Sequence, residues 1–65
     1  MNQTTAARLS GVSKSTVSRV IRKERNISLK LAIQLEEGTG VHRHVWMEGK
    51  QADIVAALAA VIENE

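Results

Sequence analysis

The stretch QTTAARLSGVSKSTVSRVIR, residues 3–22, decides the fold of this 65-residue chain. Its two halves have helix-compatible apolar spacing, and Gly11 lies between them, where it can adopt the left-handed conformation that ends a helix. In the second half, Val17, Val20 and Ile21 follow the i, i+3, i+4 spacing of one helical stripe. The stretch therefore predicts two short helices joined by a tight turn.

The residues around this turn fit a close crossing of the two helices. Ala7 has a small side chain, which permits the second helix to approach closely. Ser13 is a favourable N-cap for the second helix. Leu9 and Val12 are the apolar residues nearest the turn, and we expect them to close a small core between the helices. Each feature is common alone, but the ordered set is specific.

A third helix is predicted after the basic segment that follows. Asn26 or Ser28 can cap its start, and Gly38 and Gly40 are expected to end it. Its expected buried residues are Leu29, Ala32, Ile33 and Leu35.

The remaining sequence predicts one short helical turn over residues 41–48 and a last helix over residues 51–63. From Ile54 to Ile62 every residue is apolar, and a helix that is apolar all round is expected to be buried all round. No strand-like alternation occurs. The prediction is one all-α domain over residues 1–65, with about four to five short helices.

Charge is divided unevenly along the chain. Residues 1–30 contain seven Lys and Arg and one acid, Glu24, for a net charge of +6. Residues 31–65 contain two basic and six acidic residues, for a net charge of −4, so the whole chain carries +2. This division predicts a polyanionic partner for the first half. The alternative is that these Arg and Lys residues only form the solvent-exposed face of an amphipathic helix.

Composition excludes several classes of protein. A chain this short buries roughly 60% of its unfolded surface and is marginally stable, so oligomerisation is the usual means of stabilisation. There is no cysteine, no apolar run of the ~18 residues that span a bilayer, and no signal peptide, which predicts a cytoplasmic location and no membrane partner. No nucleophile motif, phosphate-binding glycine loop or carboxylate pair occurs, so we expect neither an enzyme nor a cofactor.

Two histidines, His42 and His44, are the only candidate metal ligands of note. Glu36 and Glu37 precede them, but a site would require a third ligand in fixed geometry, and the chain has no cysteine. We therefore predict no metal site, and solvated loop histidines instead. Trp46 is the single aromatic residue of the Phe, Trp and Tyr class, and we expect it to fill a core or an interface.

The stretch AARLSGVSKSTVSRVI resembles a bacterial helix-turn-helix, and its TVSRV segment is similar to lac-repressor-type headpieces. The following stretch, ERNISLKLAIQLEEGTGVHRHVWMEG, resembles the lambda-repressor/Cro-type family instead, in which a third helix opens with Ser-Leu and ends in a Thr-Gly-Val turn. The resemblance covers residues 2–49. It implies a lambda-repressor-like DNA-binding domain with a helix-turn-helix unit at residues 3–22.

Members of this family usually have a helix before the helix-turn-helix unit, whereas here the unit begins at Asn2. We expect either that a segment is missing or that another element covers the exposed side of the first helix. The apolar C-terminal helix is the candidate, from the same chain or from a second subunit.

The resemblance implies that residues 14–22 enter the DNA major groove. Arg19 is the strongest base-reading candidate because its guanidinium can pair bidentately with guanine; its alternative role is a phosphate contact. The base-reading set is Lys14, Ser15, Thr16, Ser18 and Arg19. The phosphate-binding set is Gln3, Thr4, Ser13, Arg22, Lys23, Arg25 and Asn26.

These features predict a sequence-specific DNA-binding transcriptional regulator, bacterial or phage-encoded and nucleoid-associated. We expect a homodimeric repressor, phage Cro-like or antitoxin-like, that reads a palindromic operator in double-stranded DNA. The alternative is a protein-interaction module that uses its apolar C-terminal helix, such as an antitoxin that binds a partner toxin. The predicted dimer interface consists of Ile54, Val55, Leu58, Ala59, Val61 and Ile62.

Overall fold

The structure, a computed structural model, describes residues 1–24 and 26–61. Within this range there are five helices and no strand, which confirms the predicted all-α fold. The helices are α1 (Gln3–Ser10), α2 (Lys14–Ile21), α3 (Leu29–Thr39), α4 (Arg43–Glu48) and α5 (Gln51–Ala60). None of them is both long enough and apolar enough to cross a membrane.

Polar side chains cap the first three helices. Of the two candidates for the cap of α3, Ser28 takes this role and Asn26 does not. Each cap satisfies one backbone N–H that would otherwise have no partner, which contributes about 1 kcal/mol. The three bonds run to Asn2 Oδ1 from the Thr5 N–H (2.8 Å), to Ser13 Oγ from the Thr16 N–H (3.2 Å), and to Ser28 Oγ from the Leu31 N–H (3.1 Å).

Left-handed glycines end α1 and α3. Gly11 has a φ of 70° and Gly40 a φ of 78°, a conformation that glycine adopts without a steric penalty. Beside Gly40, the buried Thr39 hydroxyl donates to the Leu35 carbonyl at 2.6 Å and accepts the Val41 N–H at 3.1 Å. The Thr-Gly-Val turn implied by the resemblance is therefore present.

Gly38 was expected to end α3 together with Gly40. This expectation is wrong for Gly38, which lies inside the helix. It lies where α3 crosses α1: a Cβ added to Gly38 would approach the Ser10 Cα to 2.6 Å and the Ser10 backbone nitrogen to 2.7 Å. A glycine is needed here because the two helix backbones meet, and not because the chain turns.

The core lies between α1, α2 and α3, with α4 and α5 closing it. Trp46, on α4, is its largest fully buried side chain, which agrees with the expected plug. Ala7 is 3% exposed on α1, the helix that packs against both α2 and α3. The core residues are Ala6, Ala7, Val17, Val20, Ile21, Ala32, Leu35, Val41, Trp46, Ile54 and Leu58.

Two predicted core residues are exposed. Leu9 is 53% exposed because the buried stripe of α1 runs through Ala6, Ala7 and Ser10 and leaves Leu9 on its flank. Leu29 is 55% exposed because it is the first residue of α3, and the burial of that helix centres on Ala32, Leu35 and Thr39. Val12 is partly buried against the core, as expected, and Ile33 is half-buried.

Helix α5 packs within the same chain, against α2 and α4. Ile54 and Leu58 are 0% and 3% exposed, and the Met1 amine donates to the Leu58 carbonyl at 2.8 Å. The expectation of burial all round is wrong, because α5 lies at the edge of a small domain and only one side meets neighbours. The opposite side, which we call the outer stripe, is exposed and consists of Ala52, Val55, Ala56 and Ala59. The helix is also shorter than predicted, since it ends at Ala60.

Candidate nucleic-acid interface

Packing of α2 determines which of its side chains face solvent. Val17, Val20 and Ile21 are buried against the rest of the domain. The predicted base-reading residues lie on the remaining surface of the helix, where Lys14, Ser15 and Arg19 are exposed and Thr16 and Ser18 half-buried. The outward face of α2 therefore carries cations and hydroxyls and no acid.

One member of the base-reading set is already hydrogen-bonded inside the domain. The Thr16 hydroxyl lies 2.8 Å from the Ser13 hydroxyl, and Ser13 also caps α2. In the described part of the chain, no hydrogen bond or ion pair engages the side chains of the other four members, Lys14, Ser15, Ser18 and Arg19. Thr16 is thus held at the start of the helix, whereas the other four can turn toward a ligand.

The predicted phosphate-binding residues lie at three places. Gln3 and Thr4 are in the first turn of α1, which contains no acidic residue, and Thr4 is exposed. Ser13 precedes α2 and is exposed. Arg22, Lys23 and Asn26 follow α2 and are exposed, and Arg25 lies outside the described residues. Helix N-termini present free N–H groups and favour anions, so the first two places suit phosphate oxygens.

The end of α2 has an unusual backbone. Lys23 has a φ of 60° and is the one residue other than glycine with a positive φ in the described part of the chain. Its N–H donates to the Val20 carbonyl at 3.1 Å, and the next N–H, of Glu24, donates to the Arg19 carbonyl at 3.0 Å. This left-handed turn ends α2 and holds the Glu24 backbone close to the last turn of the helix.

Gln34 is a positioning residue that the sequence analysis did not identify. Its side-chain Nε2 donates to the Ser10 carbonyl at 2.6 Å, next to the Gly11 turn. Gln34 is half-buried on α3, so it ties the connection between α1 and α2 to the third helix. A signal was present, because this polar residue interrupts the apolar run between Ile33 and Leu35.

The two histidines have a structural role at the start of α4. His42 is its N-cap and accepts the His44 N–H on Nδ1 at 3.1 Å, and His44 lies within the helix, so neither is a plain loop residue. His42 Nε2 is 3.8 Å from Glu36 Oε2, which also accepts the Arg43 N–H at 3.1 Å. Among the residues that the structure describes, no group of three candidate metal ligands occurs.

Lys23 provides a first test of this interface. Its left-handed backbone is expected to lower the stability of the fold, whereas its charge is expected to raise the affinity for DNA. Lys23→Gly should stabilise the fold by about 0.5–1 kcal/mol by relieving the left-handed strain, offset in part by backbone entropy. The same change should weaken binding to all DNA sequences and flatten the salt dependence by about one unit, because one phosphate contact is lost. Thermal melts and DNA titrations at several salt concentrations measure the two effects.

Lys23→Ala is the matched control, since it removes the same charge and keeps the strain. We expect the same loss of DNA affinity and no gain in stability. Undiminished DNA binding by both variants would remove Lys23 from the interface.

A family model described as helix-turn-helix matches residues 1–46, which is 46 of the 65 residues of the chain. The matched region contains α1, α2, α3 and the first part of α4, and α5 lies outside it. No curated protein and no solved structure gives a significant match.

Proposed function

Because the chain belongs to the lambda-repressor/Cro-type helix-turn-helix family, a family of DNA-binding regulators, we propose that it is a sequence-specific transcriptional repressor. In this proposal α2 lies in the major groove and α1 crosses the DNA backbone, the docking mode of helix-turn-helix proteins. The protein acts on double-stranded DNA in the cytoplasm, associated with the nucleoid.

The outward face of α2 is the observation that carries the proposal. Lys14, Ser15 and Arg19 are exposed on it with no acid beside them, while Val17 and Val20 anchor the opposite face. A helix that served only as scaffold would have no reason to exclude acids from its solvent side. The excess of cations favours phosphate-rich ligands, and the exposed Arg and Lys match the acceptors of guanine.

The position of each polar side chain decides whether we propose a base contact or a phosphate contact for it. Arg19 is in the last turn of α2. Its side chain has no partner among the described residues, so it is proposed to read a guanine edge. The N-terminal turn of α1, with Gln3 and Thr4, and the cap residue Ser13 are proposed to bind phosphates. Lys23 extends this contact beyond the end of α2.

Replacement of Arg19 tests the base-reading role. Arg19→Ala should lose discrimination at one or two operator positions, at a cost of ~1–3 kcal/mol for the selected site, and should change binding to random DNA much less. The operator is first obtained by selection from random duplexes, and both affinities are then measured by fluorescence anisotropy. Lys23→Ala is the comparison, since it should weaken both ligands equally. An equal loss of both affinities in Arg19→Ala would assign Arg19 to phosphate instead.

We also propose that two copies associate through the outer stripe of α5. Ala52, Val55, Ala56 and Ala59 follow i, i+3, i+4, i+7 spacing, and their small side chains allow a second helix to approach closely. A twofold contact of this kind is self-complementary and would present two copies of α2 to half-sites one DNA turn, ~34 Å, apart.

The interface residues predicted from the sequence differ in their burial within the chain. Ile54 and Leu58 are buried in the core of their own chain, and Val61 is half-buried against it. Val55 and Ala59 are exposed and remain available to a second subunit. Ile62 lies outside the described residues. The proposed interface is therefore the outer stripe, with Val55 as its largest side chain.

A partner protein, such as a toxin, is the second candidate for the same surface. An apolar groove of about 270 Å³ favours it, because this groove extends from α5 to the start of the chain and to Ile21 at the end of α2. Its α5 side is lined by Val55, Leu58 and Ala59. A purified protein that binds its operator as a monomer would favour this partner over a second copy.

A further inference from the structure

Glu24 is the one acidic residue among the first thirty, and it lies at the edge of the proposed DNA interface. Its Oε2 is 2.9 Å from Nε of Arg22, and both side chains are 55% exposed. Arg22 is the C-cap of α2 and belongs to the predicted phosphate-binding set. The only carboxylate of this basic region is thus paired with a cation that DNA would use.

The backbone holds this pair together. The left-handed conformation of Lys23 reverses the chain directly after α2, and the Glu24 N–H donates to the Arg19 carbonyl at 3.0 Å. Glu24 is therefore held against the helix end, two residues from Arg22, and does not extend away from it. The turn therefore brings the two residues close together before their side chains pair.

We propose that Glu24 competes with DNA phosphate for Arg22 and thereby limits the sequence-independent part of DNA affinity. This inference rests on the proposed function, because it requires Arg22 to face the DNA backbone. An exposed ion pair is weak, so a phosphate can displace the carboxylate, and the guanidinium exchanges one oxygen partner for another. DNA binding then releases one counterion fewer than it would without Glu24, because a carboxylate already neutralises that cation.

The consequence is weaker binding to all sequences, with base reading unchanged. Non-specific DNA is in large excess over any operator, so a strongly cationic surface without such a restraint would be held on it more tightly. Arg19, which is proposed to read a base, has no carboxylate partner among the described residues. Glu24 therefore acts on the phosphate-binding Arg22 and not on the base-reading Arg19.

Glu24→Gln tests the inference, since it removes the charge and keeps the size of the side chain. The affinity for a random duplex should rise roughly three- to tenfold at low salt, and the salt dependence should become steeper by about one unit. The affinity for the selected operator should rise by the same factor. Glu48→Gln is the matched control: Glu48 is an exposed acid at the end of α4, which packs against α3 and α5, so its removal should change DNA affinity much less.

A double-substitution cycle tests whether the effect passes through Arg22. In an Arg22→Gln background, the gain from Glu24→Gln should fall below twofold. An equal gain in both backgrounds would overturn the inference, because Glu24 would then act only through its field on the DNA. Weaker binding by Glu24→Gln would also overturn it, since Glu24 would then position Arg22. Absence of salt-dependent DNA binding by the wild-type protein would instead refute the proposed function.

Discussion

Gly38→Ala should lower the free energy of unfolding by at least about 2 kcal/mol, although alanine is normally the better helix residue. An alanine inside a helix gains about 1 kcal/mol over glycine. Here the added methyl group would lie 2.6 Å from the Ser10 Cα, and a backbone atom cannot move aside as a flexible side chain can. Helices α1 and α3 must separate, so we expect a cost at or above the upper end of the about 1–3 kcal/mol that is typical of overpacking.

The loss would be a large fraction of the total, because a domain of 65 residues has a stability of only about 3–10 kcal/mol. Urea denaturation followed by Trp46 fluorescence measures it. Gly40→Ala is the matched control: nothing lies within 4 Å of an added Cβ there, and only the left-handed strain, about 1–2 kcal/mol, is expected. A Gly38→Ala variant as stable as the wild type would contradict the close crossing of α1 and α3.

Val55→Glu should lower operator affinity by about 10²–10⁴-fold while the domain stays folded. If two copies associate through the outer stripe, a charge at its largest exposed side chain disrupts the contact, and each α2 then binds its half-site alone. Val55 is 48% exposed, so its replacement leaves the core of the chain intact. Sedimentation velocity at tens of micromolar should show a dimer for the wild type and a monomer for the variant.

His44→Glu is the control for this second experiment. It adds the same negative charge at an exposed position of α4, and therefore outside the outer stripe. We expect it to remain a dimer with near-normal operator affinity. A wild-type protein that sediments as a monomer at these concentrations, or a Val55→Glu variant that keeps its dimer, would contradict the proposed interface.

The local features of the DNA-reading unit could be predicted from the sequence. Val17, Val20 and Ile21 are spaced for one face of a helix, and their burial forces the polar residues between them to the outside. Gly11 and Ser13 act through their own backbone and side chain, at the ends of the helices that they were predicted to end and to begin. Properties that depend only on a few residues adjacent in the sequence can therefore be predicted from it.

The candidate site was only partly predictable for the same reason. The outward face of α2 follows from the spacing of its apolar residues. Two contacts near this face do not follow from any spacing. Gln34 donates to the Ser10 carbonyl, 24 residues away, and its interruption of an apolar run does not show which group it contacts. The pairing of Arg22 with Glu24 accompanies the left-handed backbone of Lys23, a conformation that lysine rarely adopts and that no residue pattern predicts here.

Fold class, the helix-turn-helix unit and its basic face were thus determined by the sequence alone, because spacing, capping and charge act over one or two helical turns. Tertiary structure decided the rest. It placed Gly38 inside α3 against Ser10, left Leu29 in solvent, and buried only one side of α5. In each case the outcome depends on which other helix lies against the residue, and the apolar pattern of a single helix shows which faces can be buried but not which of them meets a neighbour.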